Sequence, residues 1–135
     1  MGEGGEAWFF QSELPYGVNQ TDYADKGITG YRVGPDVKTH SANGVGAYTY
    51  FRDYKVTVQS GFVIPDAPGV KLTNAFTLFL YCGPNASTEA CGVSITNVIN
   101  NVGGAISLGN ENHKYVCSYS DGHFKLGDSE FESFL

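Results

Sequence analysis

Apolar and polar positions along this chain alternate with a period of two rather than 3.6, which is the pattern of strands and not of helices. After Asn43-Gly44, which reads as a turn, Tyr48, Tyr50, Tyr54, Val56 and Val58 share one parity, while Thr49, Asp53, Lys55, Thr57 and Gln59 share the other. The first set is assigned to the core, so Tyr48, Tyr50 and Tyr54 are kept out of any ligand site. Arg52 breaks the parity, as a residue paired near an edge or a bulge at Phe51-Arg52-Asp53 would do. The alternation returns at Val70, Leu72, Phe76, Leu78 and Leu80, at Val93, Ile95 and Ile99, at Ile106 and Leu108, and at Tyr115, Cys117 and Tyr119. Upstream, Ala7-Trp8-Phe9-Phe10 is too apolar to stand in water unpartnered and predicts a first strand, whereas the Gly-, Asp- and Pro-rich stretch Pro15 to Thr39 predicts an ordered loop with short strands.

The first three strand-like segments recur at roughly twenty-odd residues, each followed by a turn or loop, and that interval suits one coil of a parallel β-helix. Inward side chains of successive coils then stack into one continuous core, with Asn74 and Asn97 inward as polar ladders. An antiparallel β-sandwich predicts the same alternation, and Gly103-Gly104 serves equally as a hairpin turn. The fold class is therefore all-β, a short right-handed parallel β-helix with the antiparallel sandwich as its alternative. Residues 1–12 form an N-terminal aromatic segment able to act as an added strand, 13–126 the β domain and 127–135 an acidic C-terminal tail.

Composition agrees with this and narrows the partners. The 135 residues fit one domain, and 18 Gly, 9 Tyr and 9 Phe against 16% charged residues describe a turn-punctuated β protein. A net charge of -6 with 8 Lys and Arg scattered along the chain provides no basic stripe for a phosphate backbone, so nucleic acid is not an expected partner. No apolar run approaches the roughly 20 residues that span a bilayer, and no membrane partner is expected.

Cys82 and Cys91 bracket a Gly-, Pro- and Asn-containing stretch that reads as a disulfide-stapled loop, although three cysteines allow other pairings. Cys117 is then left over, as a buried thiol in preference to an intermolecular bridge. Asn19-Gln20-Thr21 and Asn85-Ala86-Ser87 are acceptor sequons, so Asn19 and Asn85 are candidate N-glycosylation sites, and together with the loop they point to a secreted, extracellular protein.

Three stretches carry a family resemblance: Leu14-Pro15-Tyr16-Gly17-Val18 running into Asp22 to Val33, Gly44 to Tyr54 with its Gly-Val-Gly-Ala-Tyr-Thr-Tyr-Phe-Arg-Asp-Tyr run, and Val93 to Asn100. From Trp8 to Leu108 the chain resembles the C-terminal part of secreted, mainly fungal pectin-lyase-like proteins related to glycoside hydrolase family 55, the β-1,3-glucanases. The resemblance implies a right-handed parallel β-helix, a secreted life and association with glucan or another cell-wall polymer. Members of this kind are several times longer, and none of their catalytic residues can be matched to a position here.

Glycoside hydrolysis requires two carboxylates across the scissile bond. Asp22, Asp25 and Asp53 are weak candidates because each sits beside aromatics, with turn-forming or ion-paired aspartates as the plainer explanation. His40, His113 and His123 lack the spacing of a metal site, and no Gly-x-Ser-x-Gly or phosphate-binding loop occurs, so no metal or cofactor is expected. Sugar rings pack their C–H faces on planar side chains, which makes Trp8, Tyr16, Tyr23, Tyr31 and Phe51 the candidate carbohydrate-binding residues. The expected function is a secreted, polysaccharide-associated domain without its own catalytic site. The alternatives are a self-assembling structural glycoprotein with further copies as partners, and a fragment or oligomeric form of a glucan- or pectin-degrading enzyme.

Overall fold

A computed structural model describes residues 1–15, 18–49, 56–79, 95–107 and 110–127. It is all-β apart from one short helix. In chain order the elements are β1 (Gly5–Trp8), β2 (Gln11–Glu13), α1 (Gln20–Lys26), β3 (Tyr31–Arg32), β4 (Thr39–Thr49), β5 (Val58–Val63), β6 (Gly69–Phe79), β7 (Ile95–Ile99), β8 (Ala105–Ser107), β9 (Asn110–Ser120) and β10 (His123–Lys125).

These strands build two sheets. The larger runs β1-β4-β6-β9-β10, with β2 also on β4 and β8 also on β9; the smaller is β3-β5-β7. Pairing is parallel from β1 and β2 through β4 to β6, and throughout the smaller sheet. β9 runs antiparallel to β6, β8 and β10. Gly5 stands beside His40 and His40 beside Val70, so parallel neighbours in the larger sheet lie 30 to 35 residues apart. In the smaller sheet Tyr31 pairs with Phe62 and Val58 with Ile95, 31 to 37 residues apart. The repeat is therefore longer than the spacing read from the sequence, because strands consecutive in the chain from β3 to β8 alternate between the two sheets.

A bend crosses the larger sheet and resets its parity. Phe9, Gly44 and Asn74 have φ of 53°, 66° and 54°. Gly44 and Asn74 occupy the same level, between the pairs Asn43 with Thr73 and Val45 with Ala75, and a Cβ on Gly44 would come within 2.9 Å of the Phe9 ring. One left-handed residue in each of three adjacent chain segments turns the backbone; Phe9 stands between β1 and β2, whereas β4 and β6 run on through it, so Asn43-Gly44 is a bend inside β4 and not a turn before it. Buried positions run His40, Ala42, then Val45, Ala47 and Thr49 in β4, and Val70, Leu72, then Ala75 and Thr77 in β6. Three expectations are corrected by this shift: Thr49 faces the core with Tyr48 on the other side of the strand, Phe76 and Leu78 leave the inward row to Ala75 and Thr77, and Asn74 is exposed at the bend instead of in an inward ladder.

The core lies between the sheets. Val56, Val58, Phe62, Ile95, Val98 and Ile99 meet Val45, Val70, Leu72 and Ala75 there, while Leu78 is half-buried. Asn97 is inward as expected, and its Nδ2 donates to the Gln59 carbonyl at 3.0 Å. Asn100 brackets Ile64 through Oδ1 from the amide at 2.9 Å and Nδ2 to the carbonyl at 3.0 Å. Among the described residues no buried side-chain N or O atom lacks a hydrogen-bond partner, as burial of polar groups demands. Cys117 is buried beside Val116 and between Tyr115 and Tyr119.

The helix departs from the sequence reading. Asn19 caps it, its Oδ1 accepting from the Asp22 amide at 2.9 Å, and Gly27, left-handed at φ 57°, ends it. Seven residues are too few to be helical alone; Tyr23, buried in the core, and Gln20, bonded to Thr57 just ahead of β5, hold them in place.

Candidate carbohydrate-facing surface

Among the described residues the most exposed aromatic group lies at the β1 edge. Trp8, Phe9 and Phe10 are 60%, 80% and 38% exposed. Trp8 closes β1, and the left-handed backbone of Phe9 swings its ring away from the core onto the same surface. The two rings lie 6.3 Å apart at 57°. The Trp8 indole Nε1–H donates to Glu6 Oε1 at 2.9 Å, which fixes the ring plane and leaves carboxylate lone pairs open beside it. Phe10 turns back, edge-on to Tyr31 at 5.6 Å. An open indole face with a carboxylate at its rim can take the C–H face of a pyranose and accept from its hydroxyls.

A second surface is the groove of about 400 Å³ between α1 and the strands β3 and β5. Gln20 spans it, its Nε2 donating to the Thr57 carbonyl at 3.0 Å and its Oε1 accepting from the Thr57 amide at 2.6 Å. The Arg32 guanidinium is steered along the wall by donation to the Gly27 carbonyl at 2.7 Å, and Thr29 Oγ1 donates to the Ser60 carbonyl at 2.5 Å. Gln59 and Ser60 complete its polar part, and Ile28, Val58 and Val63 give it a larger apolar part.

The third is a shelf on the outer side of the larger sheet. Phe76 meets Tyr48 edge-to-face at 5.8 Å and 81°, and His113 at 5.7 Å and 82°. It fits because position 46 is glycine; a Cβ there would come within 2.4 Å of the Phe76 ring. Partial burial in this row holds the His113 pKa below the ordinary histidine value. Sequence parity hid the shelf by assigning Tyr48 to the core, and the Gly46 that makes room for Phe76 was the available sign.

The structure scatters the sequence candidates. Tyr23 and Tyr31, expected to stack on sugar, are 4% and 3% exposed and are reassigned to the core. Tyr23 donates its hydroxyl to the Pro15 carbonyl, and Tyr31 contacts His40 Nε2 at 2.6 Å while its ring packs between Phe10 and Phe62. Burial raises both phenol pKa values, that of Tyr23 to about 12. Asp22 lies in the first turn of α1 with Oδ1 3.8 Å from Lys26 Nζ, and Asp25 is exposed on the same helix. Asn19 is exposed, its Oδ1 engaged as the cap. Tyr16, Phe51, Asp53, Cys82, Cys91 and Asn85 lie outside the described residues. Among the described residues no group of three metal-ligating side chains occurs.

The chain matches no protein-family model and no curated protein sequence. Among solved structures it is similar to sacteLam55A from Streptomyces sp. SirexAA-E, at 30% identity and a TM-score of 0.68 over 87% of this chain. It is also similar to a variant of that protein in complex with glucose, at 28% identity and a TM-score of 0.69 over the same share. This likeness supports a relation to glycoside hydrolase family 55. The chain spans 21% of the length of either.

Proposed function

We propose that this chain is a secreted, β-helical, carbohydrate-associated domain that holds β-1,3-glucan or a related cell-wall polysaccharide on its aromatic edge without cleaving it. The observation that carries the proposal is Trp8: an indole 60% exposed and pinned through Nε1 by Glu6, in a fold similar to a protein solved with glucose. Parallel pairing in both sheets, with rows of Ala42 and Leu72 or Val58 and Ile95 abreast, supports a coiled β-helix. Of the acids weighed for catalysis, Asp22 has a structural task at the helix start with Lys26. The sequons at Asn19 and Asn85, and the stapled loop that the spacing of Cys82 and Cys91 leads one to expect, support secretion.

Sedimentation with insoluble β-1,3-glucan tests this. The wild-type chain is expected to pellet with the polymer and the Trp8→Ala variant, equally folded by circular dichroism, to stay in the supernatant; equal partition of both would refute it. One observation favours a second reading. The chain spans only 21% of sacteLam55A, so it also corresponds to a piece of a longer catalyst. Reducing-sugar release from glucan by the isolated chain, lost in Asp53→Asn with binding retained, would favour that reading.

A further inference from the structure

The segment ahead of β1 is tied down through a single side chain. Glu3 is exposed, yet its carboxylate gathers three donors from the connection that leads into β4. Oε2 accepts from the Lys38 amide at 2.8 Å, and Oε1 accepts from the Thr39 amide at 3.0 Å and the Thr39 hydroxyl at 2.7 Å. Such bonds are charge-assisted and lose that strength when the carboxyl takes up a proton. The Thr39 hydroxyl first, and the Lys38 amide after it, hold the Glu3 pKa below the usual glutamate range.

This tether stands where the ladder of β1 begins. Beside it the Gly4 amide donates to the Thr39 carbonyl at 2.7 Å, and Gly5 lies so close over His40 that a Cβ would come within 2.7 Å of the ring. Little else holds β1, an edge strand of four residues with Glu6 and Trp8 exposed and Gly5 and Ala7 half-buried. Past its far end the Phe9 amide donates to the Asn43 carbonyl at 2.9 Å and the Phe10 ring packs on Tyr31. Segments with few buried contacts open locally before the core does, so opening of β1 starts at its Glu3 end. The other charged groups around the tether are Asp36 and Lys38 in the connection and the Met1 amino group, which donates to the Arg32 carbonyl at 2.9 Å. His40 lies beneath, its ring in contact with the Gly2 carbonyl at 3.2 Å and the Tyr31 hydroxyl at 2.6 Å, and Glu6 is engaged by the Trp8 indole.

We infer that the Glu3 carboxylate is an acid-sensitive latch that closes β1 onto β4, so that its protonation frays the strand carrying Trp8 while the core stays folded. A carboxyl whose pKa is lower in the folded chain than in the unfolded one stabilises fully above the unfolded value and ceases to as pH falls through the folded one. The latch is therefore shut at neutral pH and opens in acid, below the usual glutamate range. It rests on the Glu3 geometry; that opening it loosens a glucan held on Trp8 rests on the function proposed above.

Amide NMR of the full chain between about pH 6.5 and about pH 3 tests it. The Lys38 and Thr39 amide protons are expected to shift together, with a midpoint below the usual glutamate range, and to lose that titration in Glu3→Gln. At about pH 6 the exchange protection of the Gly4 amide is expected to fall about tenfold in Glu3→Gln, that of Phe9 less, and that of the β6 amides not at all. Acid is expected to reproduce this gradient in the wild type. Lys38 and Thr39 shifts that do not follow Glu3, or Gly4 protection equal in wild type and variant, overturn the latch. Loss of β1 and β6 protection at one and the same pH overturns the local release. Acid fraying of β1 that is unchanged in Glu3→Gln assigns the titration to His40 or Glu6 and overturns the role of Glu3. If the amides behave as stated while the wild-type chain fails to pellet with glucan, the aromatic-edge function falls and the latch stands.

Discussion

Asn74 holds a left-handed backbone, φ 54°, in the middle of an eleven-residue strand. Asparagine tolerates that region better than residues with a Cβ branch or no local polar group, and glycine tolerates it best. Asn74→Ala is therefore expected to lose about 1–2 kcal/mol in urea unfolding and Asn74→Gly only a few tenths. Tyr23 makes a pH prediction. Its folded pKa is about 12 against an ordinary value near 10, so above pH 10 the unfolded chain ionises while the folded one keeps the proton. Stability is full below pH 10 and falls as pH rises toward 12, by about 1.4 kcal/mol per unit at the steepest, and Tyr23→Phe should flatten that limb of the urea-midpoint profile. Tyr23 and Tyr31 were misplaced by sequence reasoning because aromatics among Asp and Gly look like loop residues. Their burial depends on contacts distant along the chain, as with Tyr31 against Phe10 and Phe62.

At the scale of elements, the strands were legible where one face is buried without interruption. Val70 and Leu72 alternate with residues outside the core as read, whereas in β7 Asn97, Val98 and Ile99 are buried in succession. Alternation failed where the bend passes. Residue 44 shifts the phase by one position, which moved Thr49 inside and Tyr48 outside. Helix α1 did leave marks in the sequence, an Asn cap, an acid in the first turn and a Gly at the end, but seven residues give too few turns for periodicity to register. Asn19→Ala is expected to cost about 1 kcal/mol through the lost cap. Asn19→Asp should retain that stability while removing the glycan acceptor, so intact mass and melting temperature of the two variants separate capping from glycosylation.

Across the molecule, parallel strands stack from the β1 side and antiparallel β9, with β8 and β10, finishes the other. The aromatic edge belongs to the first side. The likeness to sacteLam55A is to about a fifth of that chain, which is why function here is argued from surfaces and not transferred whole. Trp8 is the chain's single tryptophan, so its emission reports one place. Titrating the wild-type chain with a soluble β-1,3-glucan hexasaccharide and following that emission tests the account most directly. A saturable change in intensity or wavelength, absent with a uronic acid oligomer, is predicted; a hexasaccharide that binds by calorimetry yet leaves the emission unmoved would contradict it.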